Sequence, residues 1–219
     1  MERIETDVLV IGGGSGGLSV AAGAVQMGAR VVLLEGHKMG GDCLNYGCVP
    51  SKALLAAAAV AHGQGGNAAM GVAPGKNTVS YGKAKDFVAS VIGQIAPHDS
   101  VARFEGLCVT VIEDYGHFIS PTEVQAGERV ITARRIVIAT GSSPFVPPIP
   151  GLSEVPYYTN ETIFDLRARP DHLLIIGGGP IGMEMAQAHR RLGSKVTVIE
   201  GQQVFAKDDP ELAAILVQK

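Results

Sequence analysis

The sequence predicts an α/β fold: a parallel sheet that also carries an antiparallel β-meander, followed by the start of a second unit built the same way. Three observations predict it. A β-rich apolar run at residues 7–11 stops at a glycine cluster and is followed by a helix-forming stretch and a second β-rich run. The same succession recurs at residues 172–199. Between them, residues 107–138 break into short β-rich runs separated by Asp114-Tyr-Gly, Ser120-Pro and Ala126-Gly-Glu, the punctuation of a meander.

The elements follow in order. Residues 7–11 read as a buried parallel strand, because a continuous β-branched and aliphatic run leaves no polar face. Residues 18–27 form a helix that ends at Gly28, and residues 30–34 supply the next strand. Residues 47–61 are alanine-rich and helical, residues 63–77 are a Gly-rich connection, and residues 80–104 read as a long helix disturbed at Pro97, whose ring removes a backbone donor. The meander closes with a strand at 135–139. The four prolines of residues 144–151 stiffen a segment that can be neither helix nor central strand. They mark the expected boundary between a first domain, 1–147, and a second, 148–219. In the second, strands at 172–176 and 195–199 flank a helix at 181–192 that precedes Gly193. Asp208-Asp-Pro-Glu211 then opens a last helix, with an acidic N-cap, proline in the first turn and glutamate near the positive end of the dipole. A nucleotide-binding sheet needs further strands, so the chain reads as the N-terminal part of something longer.

Composition excludes several classes. A hydrophobic fraction of 46% supports a packed core, and a net charge of −3 with both signs scattered gives no basic face for nucleic acid. The charged N-terminus leads into too few apolar residues for a signal-peptide core, and the alanine run at 53–61 is too short for a membrane span; the expected location is the cytoplasm, with no membrane partner. Three cysteines are not a disulfide framework. Cys108 reads as an inert core thiol, and His98, His117 and His189 as surface or loop residues; no histidine has metal-ligand or triad spacing.

Gly12, Gly14 and Gly17 fit G-x-G-x-x-G. The first allows the tight turn, the second lets a pyrophosphate reach the backbone, and the third lets helix and strand pack closely, while the helix N-terminus faces the phosphates. Glu35 ends the next strand, where a carboxylate can accept from both hydroxyls of an adenosine ribose. Gly177, Gly179 and Gly182, completed by Glu200, repeat the pattern, and the interval from third glycine to carboxylate is the same in both copies. Two Rossmann-like dinucleotide sites are therefore expected. Glu200 would repel a 2′-phosphate, which favours NADH over NADPH. Between the sites, Cys43 and Cys48 are separated by four residues, and a distorted helical turn can bring their sulfurs to bonding distance. Such a pair reads as a dithiol–disulfide cycle or, as readily, as one of two plainer alternatives, two buried thiols or half of a metal site.

The stretch GGDCLNYGCVPSK, preceded by GGGSGG and followed by Ala139-Thr140-Gly141 and GGGPIGMEMA, resembles the pyridine nucleotide-disulfide oxidoreductases, and within them the branch of mercuric reductase and dihydrolipoamide dehydrogenase. The resemblance runs through the whole chain. It implies FAD held by the first site, with Gly41, Lys52, Thr140 and Gly141 joining Gly12, Gly14, Gly17 and Glu35, and NAD(P)H held by the second. It implies that Cys48 is the sulfur nearest the flavin, that Cys43 is the interchange thiol, and that Lys52, one helical turn beyond Cys48, pairs with Glu184, a buried pair tolerable only together. A small-molecule disulfide, dithiol or Hg(II)-type substrate and a homodimer of the full-length protein follow from the same resemblance. The sequence departs from the family at Pro180, where a gating tyrosine stands in some members, at Asp42, where threonine is common, and at Tyr46, where valine is usual. The portion that holds the family's later FAD-binding aspartate, dimerisation domain and acid–base His-Glu pair is not in this sequence. The competing expectations are a dinucleotide-binding chain without turnover and a thiol pair that sequesters a soft metal.

Overall fold

A computed structural model describes residues 1–64, 70, 75 and 78–218. Among these are eight strands, β1 (Glu2–Ile11), β2 (Val31–Leu34), β3 (Val109–Ile112), β4 (Gly116–Ser120), β5 (Glu123–Ala126), β6 (Arg129–Ile138), β7 (His172–Ile176) and β8 (Lys195–Ile199). The α-helices are α1 (Ser15–Gln26), α2 (Gly41–Asn45), α3 (Cys48–Gly63), α4 (Tyr81–Ile95), α5 (Val101–Gly106), α6 (Asn160–Ile163), α7 (Pro180–Arg191) and α8 (Pro210–Val217). The Gly-rich connection expected at 63–77 lies, beyond the end of α3, largely outside the described residues.

The chain forms two compact units interleaved in sequence: one of Met1–Pro50 and Ser90–Phe164, the other of Ser51–Ala89 and Asp165–Lys219. The first holds a six-stranded sheet in the order β3-β2-β1-β6-β5-β4. β1 pairs in parallel with both β2 and β6, β2 with β3, and β4, β5 and β6 run antiparallel. Successive residues of a strand face opposite sides, and both sides are covered. Leu9, Val32, Leu34, Ile112 and Ile131 pack on one face with Val124 and Ala133. Val10, Val31 and Leu33 pack on the other with Leu18 and Ala21 of α1 and Phe104 of α5. The second unit contains β7 and β8, paired in parallel, with α7 as the connection between them, and α8 follows β8 in the chain.

The α/β class, the meander and both βαβ units match the expectation, and five details correct it. β1 begins at Glu2, because Glu2–Thr6 pairs with Arg129–Ala133 and the charged side chains of that stretch find partners across the sheet, Glu2 with Arg129 and Arg3 with Glu123, both at 3.1 Å. β3 belongs to the parallel core beside β2 and not to the meander. The long helix disturbed at Pro97 is two helices joined by a 3-10 turn at Ala96–Asp99, and α5 restarts at Ser100, whose hydroxyl accepts from the Arg103 N–H. Cys108 is exposed, in left-handed backbone (φ 66°) just past α5. His189 is fully buried in α7. By length and composition the stretch Gly41–Gly63 would suffice to cross a membrane, longer than the alanine run suggested; it is interrupted at Tyr46-Gly47 and is one-third buried.

Candidate functional sites

The parallel strands β2, β1 and β6 end side by side, and their carboxyl ends gather the residues expected to hold a nucleotide. In open α/β sheets this is where ligands lie. Past β1 the chain turns at Gly12 in left-handed backbone (φ 110°), with the Ala139 carbonyl so close that a Cβ at Gly12 would sit 2.2 Å from it. Ala139 is held there because its N–H donates to the Ile11 carbonyl at 2.8 Å, which brings Thr140 and Gly141 (φ 70°) beside the glycine turn. A Cβ at Gly17 would lie 1.8 Å from the Gly12 oxygen, so only glycine lets α1 begin so close to β1. Gly14 is the N-cap of α1 and supplies no side-chain acceptor, which leaves the first N–H groups of the helix pointing at the turn. Gly41 (φ 55°) approaches so closely that its Cβ would be 2.6 Å from Gly14 Cα. The Glu35 carboxylate accepts the Gly13 N–H at 2.6 Å and the His37 N–H at 2.7 Å. Each oxygen keeps lone pairs for ribose hydroxyls.

The second unit repeats this construction. Gly177 turns in left-handed backbone (φ 112°), a Cβ at Gly182 would lie 2.1 Å from the Gly177 oxygen, and Gly179 caps α7 without a side-chain acceptor. Glu200 accepts the Gly178 N–H at 2.7 Å and the Gln202 N–H at 3.0 Å, bonds that hold its carboxyl below the usual range. Gly13 and Gly178 thus play one part, each binding the carboxylate that ends the following strand.

The close contact of Gly41 with Gly14 brings the cysteine segment to the first turn. Cys43 lies within α2, and Cys48 is the first residue of α3. The chain reverses between them at Tyr46-Gly47, where a Cβ at Gly47 would meet the Asp42 carboxylate at 2.7 Å and Cys43 Cα at 3.3 Å. Both cysteines stand as thiols, and Cys43 is half-buried. Its thiol is pushed above its ordinary value, first by hydrogen bonding with Cys48, then by burial and the charges of Cys48 and Asp42. In the second unit Lys52 Nζ donates to Glu184 Oε1 at 2.6 Å. This pair forms as expected but is not buried: the side chains are 62% and 31% exposed, because Glu184 lies on the open side of α7. Solvent screening keeps its contribution to stability small. Along that side runs a cavity of about 1110 Å³ whose lining includes Pro180, Glu184, Arg190 and Leu212.

Several residues of these neighbourhoods left no signal in the sequence. The Asn160 amide donates to Asp42 Oδ1 at 2.9 Å across 118 positions of chain. His37 Nε2 lies 3.2 Å from the Tyr46 hydroxyl, and Lys38 Nζ lies 5.1 Å from that ring's centre. Lys85 did leave a trace: it stands four residues after Tyr81 on the face of α4 that also carries Val88, a charge at core spacing. Among the described residues no cluster of three or more His, Cys, Asp or Glu is placed to hold a metal ion.

The sequence profile of the family described as pyridine nucleotide-disulphide oxidoreductase matches residues 6–219. The chain is 37% identical over 226 residues to a mercuric reductase of Acidithiobacillus ferrooxidans, covering 95% of this chain and 39% of that protein. It is 36% identical over 214 residues to a mercuric reductase of Streptomyces lividans, covering 95% and 45%. A solved structure of the HOCl-induced flavoprotein disulfide reductase RclA from Escherichia coli superposes with a TM-score of 0.81 at 28% identity, over 97% of this chain and 46% of that one. The chain thus spans less than half the length of these relatives. The profile's extent and the shared fold place the chain in the pyridine nucleotide-disulphide oxidoreductase family.

Proposed function

We propose that this chain carries the nucleotide- and thiol-bearing portion of a flavin-dependent oxidoreductase in which NADH electrons reach a Cys43–Cys48 disulfide and then a small-molecule substrate. The observation that carries the reading is the junction of Gly41 with Gly14, which sets the cysteine segment against the nucleotide turn. The first site suits FAD: an uncapped helix start, Gly12, Gly17 and Gly41 too crowded for a Cβ, and a carboxylate at the strand end. Gly12, Gly14, Gly17, Gly41, Thr140 and Gly141 would receive its phosphates and Glu35 its ribose; Gly177, Gly179, Gly182 and Glu200 would hold NADH, with Glu200 disfavouring a 2′-phosphate. Bound FAD would supply two-electron transfer from NADH to the disulfide.

The protein's own groups do the rest. The Cys43 thiolate attacks a sulfur of a disulfide substrate and expels one thiolate. Cys48 then attacks Cys43, reforming the intramolecular disulfide and releasing the second thiol, so that two electrons leave with the substrate. A thiol-bound Hg(II) ion is the other substrate class suited to two soft thiolates. Lys52, steadied by Glu184, places a positive charge one turn from Cys48, which suits a residue that stabilises the thiolate and the reduced cofactor. Residues 1–147 would form the FAD-binding domain and 148–219 the beginning of the NADH-binding domain of a cytoplasmic homodimer.

Anaerobic titration of the FAD-loaded protein with NADH tests the proposal. Two new thiols per chain and a long-wavelength absorbance band, lost in Cys48→Ala, are expected. Reduction of FAD without the appearance of thiols would overturn it. A second reading, dinucleotide binding without turnover, draws on the two glycine turns with their carboxylates Glu35 and Glu200, which suffice to bind nucleotides by themselves; nucleotide binding with no thiol formation in any form of the protein would favour it.

A further inference from the structure

Asp42 sits immediately before Cys43; one hydrogen bond holds its carboxylate, the neighbouring glycine leaves room for it, and a backbone bond holds its main chain. Its Oδ1 accepts from Asn160 Nδ2 at 2.9 Å. Its Oδ2 occupies the space under Gly47, 2.7 Å from where a Cβ at that position would be. Its backbone carbonyl accepts the Tyr46 N–H at 2.8 Å. Asn160 is itself held, as the first residue of α6, whose N-cap Thr159 accepts from the Glu161 N–H and donates its own N–H to the Thr162 hydroxyl. A rigid amide therefore pins a carboxylate into the loop that joins the two cysteines. The other ionisable groups of this neighbourhood are Cys48, Tyr46, His37 and Lys38, and the last two engage the Tyr46 ring.

We propose that Asp42, oriented by Asn160, is a positioning residue whose fixed charge opposes thiolate formation at Cys43 and so makes Cys43 a slower attacking nucleophile than it would be without the carboxylate. The physical basis is like-charge repulsion at short range, which opposes a second negative charge beside the first. The consequence for redox chemistry rests on the function proposed above, but the effect on the thiol does not. The thiolate alone is the nucleophile, so a fixed carboxylate delays Cys43 until substrate or a nearby positive charge offsets it.

Alkylation of the reduced full chain by iodoacetamide across a pH series, with Cys43 and Cys48 quantified separately by mass spectrometry, tests this. Asp42→Asn keeps an acceptor for Asn160 and removes the charge; Cys43 alkylation at pH 7.5 is expected to quicken about two- to fourfold, a fraction of a pKa unit. Asn160→Ala keeps the charge and frees it to turn to solvent, giving a smaller change in the same direction. It should add nothing on the Asp42→Asn background, a coupling that a merely structural contact would not produce. Asp42→Ser serves as a second charge-removing variant where Asp42→Asn does not fold. An unmoved Cys43 profile in a folded charge-removed variant, or an Asn160→Ala effect of equal size with and without the Asp42 charge, would overturn the proposal. Neither result depends on whether FAD passes electrons to the pair, so failure here is distinct from failure of the proposed function.

Discussion

The carbonyl oxygen of Gly12 occupies the place that a side chain at Gly17 would need: a Cβ there would stand 1.8 Å from it. The obstacle is backbone in the first turn of the nucleotide site, so it cannot swing aside as a flexible side chain would. Gly17→Ala should therefore lift α1 from β1, destabilise the protein by about 3 kcal/mol or more, and abolish FAD binding. Gly182→Ala, with the Gly177 oxygen at 2.1 Å, should do the same for any nucleotide binding in the second unit. By contrast Gly16, around which a Cβ meets nothing, should accept alanine with little effect on either property. Urea melts and equilibrium titration with the two nucleotides distinguish the three variants, and a stable, FAD-binding Gly17→Ala protein would contradict the packing described.

These glycines also show what a sequence can reveal. Gly12, Gly17, Gly177 and Gly182 are legible because local backbone geometry demands glycine at fixed intervals, and Glu35 and Glu200 because they end the strand that the interval predicts. Strand and helix succession was legible for the same reason, each element being specified by neighbours along the chain. What could not be read depends on partners distant in sequence. Asn160 meets Asp42 only through the fold, β3 joins the parallel sheet only because β2 offers it an edge, and His189 is buried only because α4 covers α7 at Tyr81. Cys108 looked like a core residue because it adjoins β3, yet it serves as the left-handed residue after α5, its N–H bonded to the Glu105 carbonyl at 2.9 Å.

That backbone position gives a second prediction. An L-residue at φ 66° carries about 1–2 kcal/mol of steric cost, and glycine, the usual occupant after a helix, carries none but loses more freedom on folding. Cys108→Gly should stabilise the protein by about 0.5–1 kcal/mol. The exposed thiol should also react with a maleimide in the native state. A fall in stability on this substitution, or a thiol protected until unfolding, would show that Cys108 is not placed as described.

Lys85 supplies the third. It is 1% exposed, with its ammonium 5.5 Å from the centre of the Tyr81 ring, and burial pushes its pKa down to about 8 although the Asp165 charge pulls it up. A lowered pKa means that the unfolded chain binds the proton more tightly, so the cost of burying the charge is present in full below pH 8 and diminishes as the pH rises towards 10.5. Lys85→Met, which fills similar volume without a titrating group, should remove the rise in stability that the wild type shows between about pH 8 and 10. Urea melts of both proteins across that range measure it, and a rise of equal size in Lys85→Met would assign it to another group.

The last prediction follows from which nitrogen of His189 holds its proton. Nδ1 lies 2.8 Å from the Met185 carbonyl, which can only accept, so Nδ1 carries the hydrogen and Nε2 accepts from the Tyr81 hydroxyl at 3.0 Å. The arrangement fits a neutral ring. Burial lowers the pKa of His189, the Lys85 charge lowers it further, and the Met185 bond opposes both. With the folded pKa below the unfolded value of 6.5, stability is complete above pH 6.5 and is lost as the pH falls towards the folded pKa. The slope for this one proton cannot exceed about 1.4 kcal/mol per pH unit. Tyr81→Phe removes a donor that favours the neutral ring, so it should cost about 1–2 kcal/mol at pH 7.5 and weaken the loss below pH 6.5, because the folded pKa moves back towards 6.5. Urea melts of wild type, Tyr81→Phe and His189→Gln between pH 5 and 8 measure both effects. A wild-type slope that survives unchanged in His189→Gln would assign the acid sensitivity to another group and remove His189 as its source.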